Sequence, residues 1–264
     1  ILTRMEATGN EFADALAEAQ RLGFAEADPE LDVGGGDTAH KLALLASLAF
    51  GTAPDLAQMS VTGIRHLTYD DIRFAHEFGY RIKLLGIARQ MPHGIDQRVQ
   101  PAMVKIGTPL ADVDGAFNAV MADVGEAGPY FFEGRGAGAA PTASAVVADI
   151  VDVARGANGP CFGVPAAELS ALTPALPDSR RAAFYLRFAV LDMPGVLAEI
   201  AGRLAESGVS IESMIQRGRS PGEPVAIVMI THESPEPAVA RALKVIAASD
   251  KVLGNPCMIP METG

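Results

Sequence analysis

Apolar residues Phe12, Leu16, Ala19 and Leu22 recur at helical spacing behind Asn10, a suitable N-cap, so a helix is predicted over residues 10–22 and Gly23 ends it. A second helix is predicted from Asp37 through Lys41, Leu42, Leu44, Leu45 and Leu48 to Gly51. A third is expected over residues 68–78, with Thr68-Tyr69-Asp70-Asp71 as an acidic first turn. Between the first two lies an acidic loop, residues 26–37, carrying Asp28-Pro29 and three successive glycines. Beyond Gly79 the pattern shortens to that of strands, at residues 81–88, 97–106, 119–123 and 130–133. Residues 141–153 return to helix, with Pro141 at an early position where its missing N–H costs nothing.

Residues 156–181 are rich in Gly, Pro and Ala without sustained periodicity and read as a linker, although Phe162, Leu169 and Leu172 can pack locally. A new alternation follows: strand 184–191, helix 195–207, strand 210–216, strand 224–231, helix 235–248 and strand 252–259. That βαββαβ order predicts one sheet with two helices on one face. The fold class expected is therefore α+β: a mixed α/β first domain with a sheet covered by helices (1–158), a linker (159–182) and a βαββαβ domain (183–264). No tandem repeat is visible.

Composition narrows the function. Of 264 residues, 49 % are hydrophobic and 20 % charged, enough to bury a core, and the net charge is −11 with pI near 4.9. An acidic chain is a poor partner for nucleic acid, and no apolar stretch reaches membrane-spanning length. Cys161 and Cys257 match no metal or redox spacing, and the histidines form no zinc-type pair, so a reduced, cytoplasmic protein without a metal is expected. The first residues, Ile1-Leu2-Thr3-Arg4-Met5-Glu6, resemble the inside of an amphipathic element rather than a leader, and a further N-terminal part is expected.

The candidate chemistry sits in the acidic loop. Gly34-Gly35-Gly36 lets the backbone approach a ligand and leads into a helix N-terminus, a place that usually attracts anions. Glu26, Asp28, Glu30, Asp32 and Asp37 would repel a phosphate there and favour a cationic group such as an α-ammonium. Asp37 and Lys41 stand at i and i+4 on one face, so a lysine held beside carboxylates can exchange a proton. An Asp and a Lys at this spacing are most often a solvated surface ion pair, and the loop can also be a divalent-cation site, though without EF-hand spacing. His40 reads as a helix-face or core histidine.

The run from Ala19 to Lys41, AQRLGFAEADPELDVGGGDTAHK, resembles the homoserine dehydrogenase signature, with Ala19, Gly23, Asp28, Pro29, Asp32, Gly35, Asp37 and Lys41 at its fixed positions. The resemblance implies NAD(P)-dependent interconversion of aspartate semialdehyde and homoserine. It implies that Glu26, Asp32 and Asp37 hold the amino acid's polar groups while Lys41 exchanges a proton with the carbonyl or hydroxyl oxygen. In that family a second lysine and a phosphate-binding loop are expected upstream, so this chain alone is expected to turn over little. Residues Gly134 to Thr142 resemble the family's GxGAGxxxT stretch, which implies a backbone contact with the nicotinamide nucleotide at Gly138. Without the family this is a Gly-Ala loop entering a helix, and it opens no Rossmann βαβ unit.

Residues 184–262 resemble an ACT domain through the D-x-P-G-V-L turn at Asp192, Pro194, Gly195, Val196 and Leu197. This implies amino-acid binding, with threonine the candidate effector, at Asp192, Gly195 and Val196 together with Ser210 and Ile211. It also implies a homo-oligomer, because such sheets pair edge to edge. A packing domain that binds nothing is the plainer reading. A competing function is an amino-acid-sensing, oligomerising protein whose first domain is an inactive scaffold.

Overall fold

A computed structural model of the chain describes residues 1–157, 159–176, 180–217 and 224–262. The expected domain boundary at residue 158, residues 177–179 of the expected linker and the last two residues lie outside these.

The first region opens with α1 (Leu2–Thr8), which buries Met5 and ends at Gly9, and α2 (Phe12–Arg21). Glu11, not Asn10, occupies the N-cap of α2; the Asn10 backbone N–H donates to Thr8 Oγ1 instead, because a tight turn separates the two helices. The acidic stretch contains one helical turn, α3 (Glu30–Val33), where a fully irregular loop was expected. Asp28 Oδ1 accepts from the Glu30 N–H at 3.2 Å, an Asx turn that leads into this helical turn. Gly35, with φ 86°, then starts α4 (Gly36–Phe50), which Gly51 closes.

Strand β1 (Ser60–Val61) and helix α5 (Tyr69–Glu77) follow, the latter held by a reciprocal capping box between Thr68 and Asp71. Strands β2 (Tyr80–Met91) and β3 (Gly94–Lys105) form a hairpin longer at its turn than the alternation implied, since polar Arg89 and Gln90 keep pairing up to Met91–Gly94. Strands β4 (Phe117–Asp123) and β5 (Pro129–Arg135) make a separate ribbon. It leads into α6 (Ala139–Ala154), two residues earlier than expected, with Gly138 at its N-cap. Helix α6 buries none of its residues, so the expected covering of a sheet by helices does not extend to it; Val147, Ile150 and Val153 are exposed.

The C-terminal unit comprises β6 (Arg181–Ala182), β7 (Phe184–Leu191), α7 (Val196–Glu206), β8 (Ile211–Gln216), β9 (Pro224–Thr231), β10 (Ser234–Pro235), α8 (Glu236–Ile246) and β11 (Cys257–Glu262). The last strand starts later than expected because Leu253-Gly254-Asn255-Pro256 breaks it; Val252 makes an isolated bridge to Val190. The four long strands stand in the order β11-β7-β9-β8, and Phe184, Leu186, Phe188 and Val190 face Ile200, Leu204, Val239 and Ile246 of α7 and α8.

The two regions share one sheet. β2 pairs along the whole of β3, leaving one edge of β3 for two further strands. β1 takes Arg98–Val99 and β11 takes Met103–Val104, both parallel to β3. Pro101, which has no N–H to donate, falls in the interval between them. The second face of the C-terminal sheet, with Tyr185, Val228, Ile230 and Ile259, is covered by Met5, Ile72 and Ala75 of α1 and α5. The stretch read as a linker is strapped down as well. Ser170 exchanges backbone bonds with Gly51 and Ala53, and Ile95 bonds both Thr173 and Ala175.

Candidate functional site

Helix α4 carries the lysine and its carboxylate. Lys41 Nζ lies 2.6 Å from Asp37 Oδ2, one turn apart at the start of the helix. Their side chains are 63 % and 41 % exposed, so the pair contributes about 0.3–0.5 kcal/mol of stability, the worth of a solvated ion pair along a helix. Below it, Ala39, Leu42 and Ala43 pack on Met59 and Val99 and seat the helix on the sheet. Asp32 is exposed on α3, and its carbonyl accepts from the Gly35 N–H at 3.3 Å. Glu26 is exposed in the turn before α3, where its carbonyl accepts from Gln20 Nε2 at 2.9 Å. The structure thus joins Asp37 to Lys41 directly and places Asp32 next to the N-cap of α4, while Glu26 lies further back, against Gln20 of α2. Glu30 is ion-paired with Arg65, and Asp28 accepts from the Glu30 N–H. His40 is exposed. Among the described residues, no group of three His, Cys, Asp or Glu side chains converges as metal ligands.

Gly138 stands apart, on the turn between β5 and α6. Its φ of 121° requires glycine, and a Cβ there would meet only Pro141 Cδ at 3.6 Å. The turn ahead of this sixteen-residue helix is exposed and leaves its backbone groups open to a ligand.

In the C-terminal unit, Asp192 and Gly195 form the turn from β7 into α7. Gly195 has φ 90°, its carbonyl accepts from the Glu199 N–H, and Val196 is buried beneath. Ile211 opens β8 and Ser210 immediately precedes it, the Ser210 carbonyl accepting from the His232 N–H at 2.9 Å. Register separates the two groups: Leu191 pairs with Pro224 and Tyr185 with Ile230, while Ile211 pairs with Thr231. They lie at opposite ends of the sheet, roughly 23 Å apart at ~3.3 Å per residue. One chain does not bring them together.

Sequence reading overlooked the residues that join the two regions. Asp71, fully buried, accepts from Tyr185 Oη at 3.0 Å and from Arg187 Nε and Nη2 at 2.6 and 2.9 Å. A second cluster ties Arg180 and Arg98 to Asp96, and Arg98 and Arg89 to Glu262. The signals available were an acidic N3 position behind Thr68 and arginines set in apolar strands.

The comparisons with known proteins agree with this architecture. The homoserine dehydrogenase family model matches residues 1–151, and the ACT domain model matches residues 184–248. The chain is 42 % identical over 269 residues to a homoserine dehydrogenase of Neisseria gonorrhoeae, covering 100 % of this chain and 62 % of that protein. It is 39 % identical over 262 residues to that of Helicobacter pylori, covering 99 % and 62 %. A crystal structure of a homoserine dehydrogenase from Thiobacillus denitrificans superposes with TM-score 0.88 at 44 % identity, over 99 % of this chain and 61 % of that one. One from S. aureus gives 0.72 at 27 % identity, over 100 % and 62 %. The chain therefore spans about 62 % of the length of the curated relatives it matches.

Proposed function

Because the chain belongs to the homoserine dehydrogenase family, we propose that it supplies the substrate-binding and proton-transfer part of a cytoplasmic enzyme interconverting L-aspartate 4-semialdehyde and L-homoserine. The observation that carries this is the Lys41–Asp37 pair at 2.6 Å, exposed at the mouth of an acidic glycine loop. Residues 1–158 are the substrate part and residues 183–264 the regulatory ACT part in this reading.

Carboxylates at Glu26, Asp32 and Asp37 hold the α-ammonium of the amino acid, and Asp37 orients the Lys41 ammonium. In reduction the aldehyde carbon gains a hydride while its C=O π electrons take the Lys41 proton, giving the hydroxyl of homoserine. The lysine, left as an amine, regains its proton from water, to which it is open. A reduced nicotinamide nucleotide, NADH or NADPH, would supply that hydride when bound and leave as NAD or NADP; this chain's group toward it is the Gly138 backbone.

Lys41→Ala, tested in the protein at its full natural length, should lower kcat by roughly 10²- to 10⁴-fold with an unchanged circular dichroism spectrum. Near-normal turnover would remove Lys41 from this role. Calorimetry separates the sensor reading: homoserine binding abolished by Asp32→Asn supports the enzyme, whereas binding of threonine alone supports a sensor.

The regulatory reading follows from which edge is open. β11 is hydrogen-bonded to β3 at Met261 and Glu262, whereas β8 pairs with β9 alone among the described strands, so its outer edge is open to a second copy. A twofold, antiparallel β8–β8 contact places Ser210 and Ile211 of one copy beside Asp192 and Gly195 of the other. Threonine is the proposed effector there, its carboxylate at the N-terminus of α7.

A further inference from the structure

Three glycines act where the segment bearing the carboxylates and the lysine touches the sheet. A Cβ on Gly63 would lie 2.2 Å from the Val33 carbonyl oxygen and 2.7 Å from Gly34 Cα, both backbone atoms. Ile64 N–H donates to that same carbonyl at 2.9 Å, so the Gly63 backbone lies directly against the Gly34 turn. Gly35 rests over Val99 Cγ1 and Val61 Cγ1, at 3.1 and 3.3 Å from its would-be Cβ. From β2, Gly86 meets the first turn of α4: a Cβ there would be 3.0 Å from Thr38 Cγ2 and 3.5 Å from Leu42 Cβ. Gly63 and Gly86 have no positive φ. What they supply is the absence of a side chain.

We propose that Gly63 and Gly86 are positioning residues for the reaction, fixing from two sides the height of residues 33–38 and hence the relative placement of Asp32, Asp37 and Lys41. The inference rests on the assignment of those three residues to substrate and proton transfer. Its physical basis is that cores transmit strain rather than absorb it. A reacting group misplaced by ~1 Å costs on the order of 10²-fold in rate. A methyl placed 2.2 Å from a backbone oxygen must move that backbone by about this much.

The experiment measures steady-state kinetics of the full-length protein and its Gly63→Ala, Gly86→Ala, Thr38→Ser and Gly86→Ala/Thr38→Ser variants, with Gly202→Ala, which meets open space, as control. In Gly63→Ala, kcat/KM for homoserine should fall by roughly 10²-fold while KM for the nucleotide stays constant. Gly86→Ala should lose less, and Thr38→Ser, which removes the opposing methyl, should restore it. A purely structural role predicts instead fewer active molecules, with both KM values and the rate per active site unchanged, and that result overturns the proposal. If Gly63→Ala does not fold, the Gly86→Ala pair decides, and absence of loss or of rescue refutes it. An unmodified protein without homoserine oxidation refutes the parent assignment itself, a distinguishable failure.

Discussion

Asp71 concentrates much of the polar bonding between the two regions in one carboxylate. Burial alone would raise its pKa, but the Arg187 guanidinium and the Thr68 donors overcome that and hold it below the ordinary aspartate value of 3.8. The Tyr185 hydroxyl and Cys257 thiol beside it are pushed up, first by burial and then by its negative charge. A carboxyl whose folded pKa is depressed contributes stability that is complete above its unfolded value and lost as pH falls through the folded one. Asp71→Asn leaves Arg187 without its counter-charge and should cost about 3–5 kcal/mol at neutral pH in urea unfolding. The difference from the unmodified protein should shrink below pH 3.8; a gap independent of pH would contradict the role of the charge. In the sequence, Thr68 and Asp71 were legible as the first turn of a helix. Arg187 lies 116 positions away on an apolar strand, and nothing local marks it as their partner.

Elements with strong periodicity were read correctly in type: α2, α4, α5, the β2–β3 strands and the whole βαββαβ series follow the pattern of apolar positions. The short pieces were not, because two-residue β1 and four-residue α3 have no room for a period. Composition hid the strap at residues 170–175, since Gly, Pro and Ala signal a loop without saying what the loop touches. Gly94 is its anchor. With φ 150° and a would-be Cβ 2.5 Å from the Thr173 carbonyl oxygen, it accepts no side chain. Gly94→Ala should destabilise the protein by about 1–3 kcal/mol in thermal or urea unfolding and make residues 170–175 more open to proteolysis. Unchanged protease sensitivity would separate the strap from the hairpin.

At the scale of the whole molecule, the ACT unit is built in rather than appended. One face of its sheet carries its own helices, the other lies under α1 and α5, and its β11 edge is hydrogen-bonded to β3. The chain should therefore unfold in a single calorimetric transition, and removing residues 183–264 should leave a remainder that aggregates. Two separate transitions, or a soluble and cooperative residues 1–182, would show two independent bodies. The βαββαβ order was legible because each element is local. The join was not, for a parallel pair between distant strands leaves no mark in either. Of the candidate site, the signature exposed the lysine and carboxylates, while the glycines beneath them become visible only once β1 and β2 are in place.

That join also sets an order of events during synthesis. Met103 and Val104 pair with Met261 and Glu262, 158 positions later by the difference 261 − 103. A ribosome adding ~5–20 residues per second makes the wait roughly 8–30 s. Throughout that interval the nascent strand that underlies the lysine's loop offers an open edge to every other chain nearby. Recombinant yield should then be governed by translation speed and chaperone supply, long before equilibrium stability has any say.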